Sequence, residues 1–281
     1  MRVGGDRSQD GASRSAGVGR PSGSPTEDEE SHLAPNEGDS LFVGMGAICD
    51  TAARLTGADG AAVAVLASSG DVRELVHATD ALAQQIDELQ FTLGEGPCLD
   101  AYRRNEAQLC AELDNREYAQ RWPLFTAESA ALGAAAIFAF PVPGELHPMG
   151  VLELYRRTVG PLTARELESA QVCATAIRVA LEANWHAQVV RSGSVAAAVE
   201  AATLHGIAAP APEDSFTRSQ VHVAAGMVAV QLKVPSQDAL ARLRAYAYTN
   251  RRSVVAVAAE VVSRRLSLQD PDDDDDGEES R

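Results

Sequence analysis

Two stretches of this 281-residue chain carry side chains whose types and spacing could do chemistry. The first is FTLGEGPCLDAY, residues 91–102, where Cys98 follows a Gly-Pro step. A cysteine there could be a nucleophile, which needs a nearby base or cation to favour the thiolate. No His or Lys lies near it in sequence, so any such partner would have to be supplied by the fold. The Gly-Glu-Gly run could cradle a phosphate, but the P-loop Lys-Ser/Thr and the full dinucleotide glycine pattern are missing. The third reading is architectural: two glycines form a tight turn and Pro97 opens a helix at its first position. Cys49, Cys98, Cys110 and Cys173 form no CxxC pair and have no His at ligand spacing. That argues against a zinc site and for reduced, structural thiols.

The second stretch is RLRAYAYTNRRSV, residues 242–254, with four arginines and two tyrosines between Arg242 and Arg252. Guanidinium groups pair bidentately with phosphate and stack on bases, and a tyrosine ring can stack on an unpaired base. The whole chain has a net charge of -16, yet residues 215–268 hold eight basic residues against two acids, a local charge of +6. Residues 270–281 then carry -7. A small basic module between acidic neighbours is the electrostatic footprint of a polyanion binder. The plainer alternative is a solvated helix surface.

The elements that must position these residues can be read from periodicity. Residues 1–38 are Gly, Ser, Pro and charge with few large apolar side chains, and are expected to be disordered. An acidic disordered tail is expected over 269–281. Leu41, Met45, Ile48, Ala52 and Leu55 predict an amphipathic helix over 40–56. Strands are predicted at 61–66 and 74–79, joined by an SSGD turn, then a helix over 81–90. Further strands are predicted at 107–113, 135–142 and 149–155. Thr163 and Glu166 form a capping box for a helix running to about Asn184. A helical, Ala/Pro-rich linker covers 187–214, broken near GIAAPAPEDS. Three short helices follow over 215–268, with Ser236 and Ser253 as expected N-caps of the second and third. The buried faces are predicted to be Val221, Ala225, Val228 and Leu232, then Ala239, Leu243, Tyr246 and Ala247, then Val254, Val257, Ala258, Val261 and Val262. No run approaches the ~18 apolar residues of a membrane span. The N-terminus lacks an apolar secretory core, so a cytoplasmic protein is expected.

GEGPCLDAY, RWPLF (121–125) and FPVP…MGVLELY (140–155) together resemble the GAF domains of actinobacterial regulators. Over 39–186 that resemblance implies an α+β domain, an antiparallel sheet flanked by helices. It also implies a pocket able to take an unidentified small molecule and terminal helices that make a homodimer. Cys98 becomes a packed thiol in family architecture. Arg218, Val221, Ala224, Gly226-Met227-Val228, the Ala239…Leu243-Arg244…Ala247 segment and Val257-Ala258…Val261-Val262 resemble the ANTAR domain, an all-α three-helix RNA-binding antiterminator module. Many ANTAR members have Lys where this chain has Ala225. The two resemblances imply a signal-responsive transcription antiterminator, not an enzyme, that binds RNA stem-loops under control of the sensor domain. Arg218, Arg242, Arg244, Tyr248, Arg251 and Arg252 are the expected RNA-binding residues. No cofactor, metal or catalytic residue is identified. The alternatives are a DNA-binding regulator and a GAF-fold thiol enzyme. Against the first, the last helix, VVAVAAEVVSRRL, is almost wholly apolar and has few side chains to read base edges.

Overall fold

The computed structural model describes residues 41–66, 73–204 and 218–268. The expected N-terminal and C-terminal disorder, the SSGD turn and the GIAAPAPEDS break all fall outside these residues.

The first described helix, α1 (Met45–Thr56), leads into β1 (Gly60–Leu66) and β2 (Arg73–Ala78). Then come α2 (Ala81–Leu93), α3 (Pro97–Arg104), β3 (Gln108–Cys110), α4 (Arg116–Arg121) and α5 (Pro123–Ala131). Strands β4 (Ala136–Val142) and β5 (Gly150–Arg156) complete a five-stranded sheet in the order β2-β1-β5-β4-β3. Every pairing is antiparallel. The chain continues through α6 (Ala164–Ser192), α7 (Val195–Leu204), α8 (Arg218–Leu232), α9 (Ser236–Thr249) and α10 (Val254–Val262).

Both faces of the sheet are covered, which is why its central strands read as almost unbroken apolar runs. Side chains alternate across a strand. Val63, Phe138, Phe140, Leu152 and Leu154 therefore meet α1 and α6 on one face, through Met45, Cys49, Ala52, Cys173 and Ile177. On the other face Ala62, Ile137 and Tyr155 meet α2 and α5, through Leu82, Ile86 and Phe125. Ala64, Ala139 and Val151 meet α3, through Cys98, Leu99 and Tyr102. Glu153, between Val151 and Tyr155, shares this second face, a carboxylate among apolar side chains.

Several boundaries differ from the sequence reading. The strand predicted at 107–113 contracts to three residues, and α4 and α5 fill a segment predicted to hold neither. Helix α2 runs three residues past 90 and ends at Gly94, whose φ of 72° suits a residue without Cβ. Helix α6 passes both 184 and the expected boundary at 186, because no Gly or Pro occurs before its C-cap, Gly193. The Thr163–Glu166 capping box is formed. Ser236 does not cap α9: Pro235 occupies that position and Ser236 is the first helical residue. Ser253 does cap α10, accepting from the Val255 N–H.

The last three helices share one core. Val221, Ala224, Ala225, Val228, Ala239, Leu243, Ala247, Val254, Val257, Ala258 and Val261 are all buried in it, with Tyr246 half-buried at its edge. Alanines at these positions let short helices approach closely. Two further members of this core lie outside the three helices: Leu268, past the end of α10, and Phe91, from α2.

Candidate nucleic-acid interface

The Gly-Glu-Gly-Pro-Cys turn is fully used by the fold. Gly94 ends α2 and Gly96, at φ 133°, begins α3. The Glu95 carboxylate accepts from the N–H groups of Leu124 and Phe125, both at 2.9 Å, and so caps α5. The Cys98 N–H donates to Gln90 Oε1 at 2.8 Å, and the Gln90 amide nitrogen lies 2.9 and 2.7 Å from the two Glu153 oxygens. This turn therefore ties helices together, and two of the N–H groups a phosphate cradle would need, those of Gly94 and Cys98, are already taken by Gln90. Burial pushes the Cys98 thiol well up, with Arg73 opposing, and pushes Cys49 and Cys110 up to about 12. Neutral, buried thiols are poor nucleophiles. Among the described residues no cluster of His, Cys, Asp and Glu could hold a metal ion.

Glu153 is raised to about 7 by burial, while Arg73 and the Gln90 amide hold it down. Arg73, only 2% exposed, forms an ion pair with Asp87. Burial lowers the Arg73 pKa, but Asp87 and neighbouring carboxylates outweigh that and the net shift is upward. Asp87 faces a second guanidinium as well: Arg218 Nη1 lies 2.5 Å from its other oxygen.

Arg218 is thus the first expected RNA-binding residue to be found engaged with α2, outside the three-helix unit. It is 7% exposed, pairs with Glu88 at 2.7 Å and lies over the Phe91 ring at 4.5 Å. Arg244 lies over the same ring at 5.9 Å. It also crowds Gly94, where a Cβ would come within 2.7 Å of Nη1. Tyr248 donates its hydroxyl to Glu128 on α5 at 3.0 Å, which raises the phenol pKa. Arg252 makes a two-pronged pair with Glu260 of α10, at 3.0 and 2.8 Å, which fastens the α9–α10 corner. Arg242 is half-buried and Arg251 exposed, the latter at φ 51° just past the end of α9. Arg264 and Arg265 are exposed just past the end of α10.

Sequence reasoning missed the acidic side of this contact. Asp87, Glu88 and Phe91 lie on α2, and Ser253, at the α9–α10 corner, donates to Glu88 at 3.0 Å. A signal was present: Phe91 falls out of phase with the apolar stripe Leu82, Ile86, Leu93 and shares a helical face with Asp87. An aromatic ring on the acidic side of a helix marks a surface that something covers.

Residues 45–182 match the model of the GAF domain. Among solved structures, the GAF-B domain of DevS from Mycobacterium smegmatis is 20% identical with a TM-score of 0.38, covering 55% of this chain and 97% of that one. The GAF domain from Acinetobacter phosphoenolpyruvate-protein phosphotransferase is 13% identical with a TM-score of 0.39, covering 53% and 85%. Type II free methionine-R-sulfoxide reductase from Thermoplasma acidophilum is 14% identical with a TM-score of 0.37, covering 52% and 95%. No curated protein matches the chain. No helix among the described residues is long and apolar enough to cross a membrane. The five-stranded antiparallel sheet with helices on both faces, followed by further helices, is a GAF-like α+β arrangement, and residues 45–182 of this chain are a GAF domain, a sensor domain typical of signalling proteins.

Proposed function

We propose that this chain is a cytoplasmic, signal-responsive transcription antiterminator, not an enzyme, in which the GAF domain governs an ANTAR-like unit that binds RNA stem-loops. One observation carries the reading. The residues that bear the ANTAR resemblance, among them Val221, Ala224, Ala239, Leu243, Ala247, Val257, Ala258 and Val261, are the ones that build the core of α8–α10. Around that core sits the local charge of +6 in a chain of -16. Phosphates of a stem would be held by Arg218 of α8, Arg242 and Arg244 of α9 and Arg251 and Arg252 at the α9–α10 corner, and loop bases would stack on guanidinium faces and on Tyr248.

A homodimer through the GAF-flanking helices belongs to the same reading. Val172 and Val179 of α6 are 62% and 57% exposed and line an open groove with Thr175, Ala176 and Ala183. Such a stripe is more apolar than a solitary helix needs.

The test is direct. Full-length protein at micromolar concentration is offered a pool of RNA hairpins with randomised loops, alongside duplex DNA of the same stem sequences. Enrichment of hairpins over duplex is expected. Affinity should fall when Arg242 and Arg251 become alanine. Equal binding to duplex DNA would favour the DNA-binding alternative, and hairpin binding indifferent to both arginines would place the site elsewhere.

A further inference from the structure

The side chains best suited to take RNA are not waiting for it. Arg218 is held between Asp87 and Glu88, at 2.5 and 2.7 Å. Ser253, which caps α10, donates to Glu88. Tyr248 donates to Glu128. Phe91 is 2% exposed, lies beneath the guanidiniums of Arg218 and Arg244, and counts among the core residues of the three-helix unit. Two carboxylates and a flat ring under guanidinium groups offer what a nucleic acid offers: anionic oxygens for the fork of an arginine, and a π-face beneath it.

We propose that α2 is a latch, an internal mimic of the RNA ligand, and that it must leave the three-helix unit before a stem-loop can bind. This inference rests on the antiterminator reading and names its regulation. It makes the two occupants mutually exclusive, because Arg218 cannot pair with Asp87 and a phosphate at once within a buried contact.

The same helix also connects the latch to the interior of the sensor. Gln90, one residue before Phe91, donates to Glu153 in the middle of the sheet and accepts from the Cys98 N–H. Asp87 is divided between Arg73 inside the sensor and Arg218 on the three-helix unit. A change in what surrounds Arg73 or Glu153 therefore shifts the helix that carries Asp87, Glu88 and Phe91. No second element is needed between the sensor interior and the nucleic-acid face.

The closed state sets the affinity that is measured. If only about a tenth of molecules are open, apparent affinity for RNA falls about tenfold below that of the open form. Opening the latch recovers that factor.

The experiment uses full-length protein with Glu88→Lys and Glu128→Lys, separately and together. Glu88 is partly exposed and Glu128 exposed, so neither change removes a core group. Glu112→Lys, an exposed site on the sensor, makes the same charge change as either single variant and, added to Glu117→Lys, the same change as the double, and so controls for general attraction of RNA. Hydrogen exchange is read on peptides covering α2 and the first turns of α8 and α10, and binding is read with the RNA hairpin pool. The latch requires faster exchange in those peptides and in the α3 and α5 peptides tied to α2, with α6 unchanged and hairpin binding about tenfold tighter than in the control variant. Unchanged exchange overturns the latch. Faster exchange with hairpin binding no tighter than the control overturns its role as a gate. If the opened variants and the control all fail to bind hairpins while exchange quickens, the RNA reading falls, and the contact between α2 and the helices stands without it.

Discussion

Glu153→Gln is the substitution whose consequence can be worked furthest. The carboxyl is 5% exposed, and burial raises its pKa to about 7 from 4.5. Between those values the folded chain holds a proton that the unfolded chain releases, so the folded state binds more protons. Stability contributed by Glu153 is thus fully present below about pH 4.5 and is lost as pH rises through about 7. Integrated from about pH 5 to about pH 8, the loss is about 2–3 kcal/mol. Glutamine has no such titration. It carries a fixed cost, because the Gln90 amide donates to both Glu153 oxygens, and the substituted side chain's NH₂ in place of one oxygen would lack a partner. That cost is about 1–3 kcal/mol and does not depend on pH. It cancels when differences are compared across pH. Urea unfolding of both proteins at the two pH values should show the wild type losing about 2–3 kcal/mol more than Glu153→Gln on going to the higher pH. Parallel losses would mean that Glu153 is not held protonated by burial, and the account of its environment would be wrong.

The four cysteines, all buried, should resist a thiol reagent until the protein unfolds, and Cys98→Ser should retain hairpin binding. A fast-reacting Cys98 in the native protein would revive the thiol-enzyme alternative. Val172→Glu with Val179→Glu should convert a dimer to a monomer by native mass spectrometry; a dimer that survives both changes does not use this face of α6. Truncation after Gln269 removes a segment with a charge of -7 next to the basic unit, and is expected to tighten RNA binding at low salt. Equal affinities at low salt would leave the tail a solubilising role only.

Much of the sheet could be read from sequence because each central strand is buried on both faces. AAVAVL, AAIFAFPV and MGVLELY have no polar interruption except Glu153, and an unbroken short apolar run bounded by turns is a strong strand signal. Helices α4 and α5 were hidden for the opposite reason. Helix α4 has an ordinary Asn115 cap but only six residues and no buried face to give a period, and α5 begins at Trp122-Pro123 and is capped by Glu95 from a turn well upstream. The core faces of α8–α10 followed the helical period, whereas the Ser236 cap failed because Pro235 can itself stand outside the helix. The candidate site was half legible. Its arginines and Tyr248 stood out by charge and type, but which of them are occupied depends on Asp87, Glu88 and Glu128, distant residues whose role no local pattern carries.

The turn from Gly94 to Cys98 has a consequence for how the sensor fluctuates. Within five residues it ends α2, starts α3 and caps α5, and through Gln90 it is tied to β5. Helices fastened at one knot cannot fray independently, since loosening any one gives up hydrogen bonds belonging to the others. They should open as a single cooperative unit, with slow-exchanging amides of α2, α3 and α5 reporting one common opening free energy. A helix that also grips the three-helix unit is then not a loose flap but one edge of a shared plate, and a disturbance that loosens the plate loosens that edge with it.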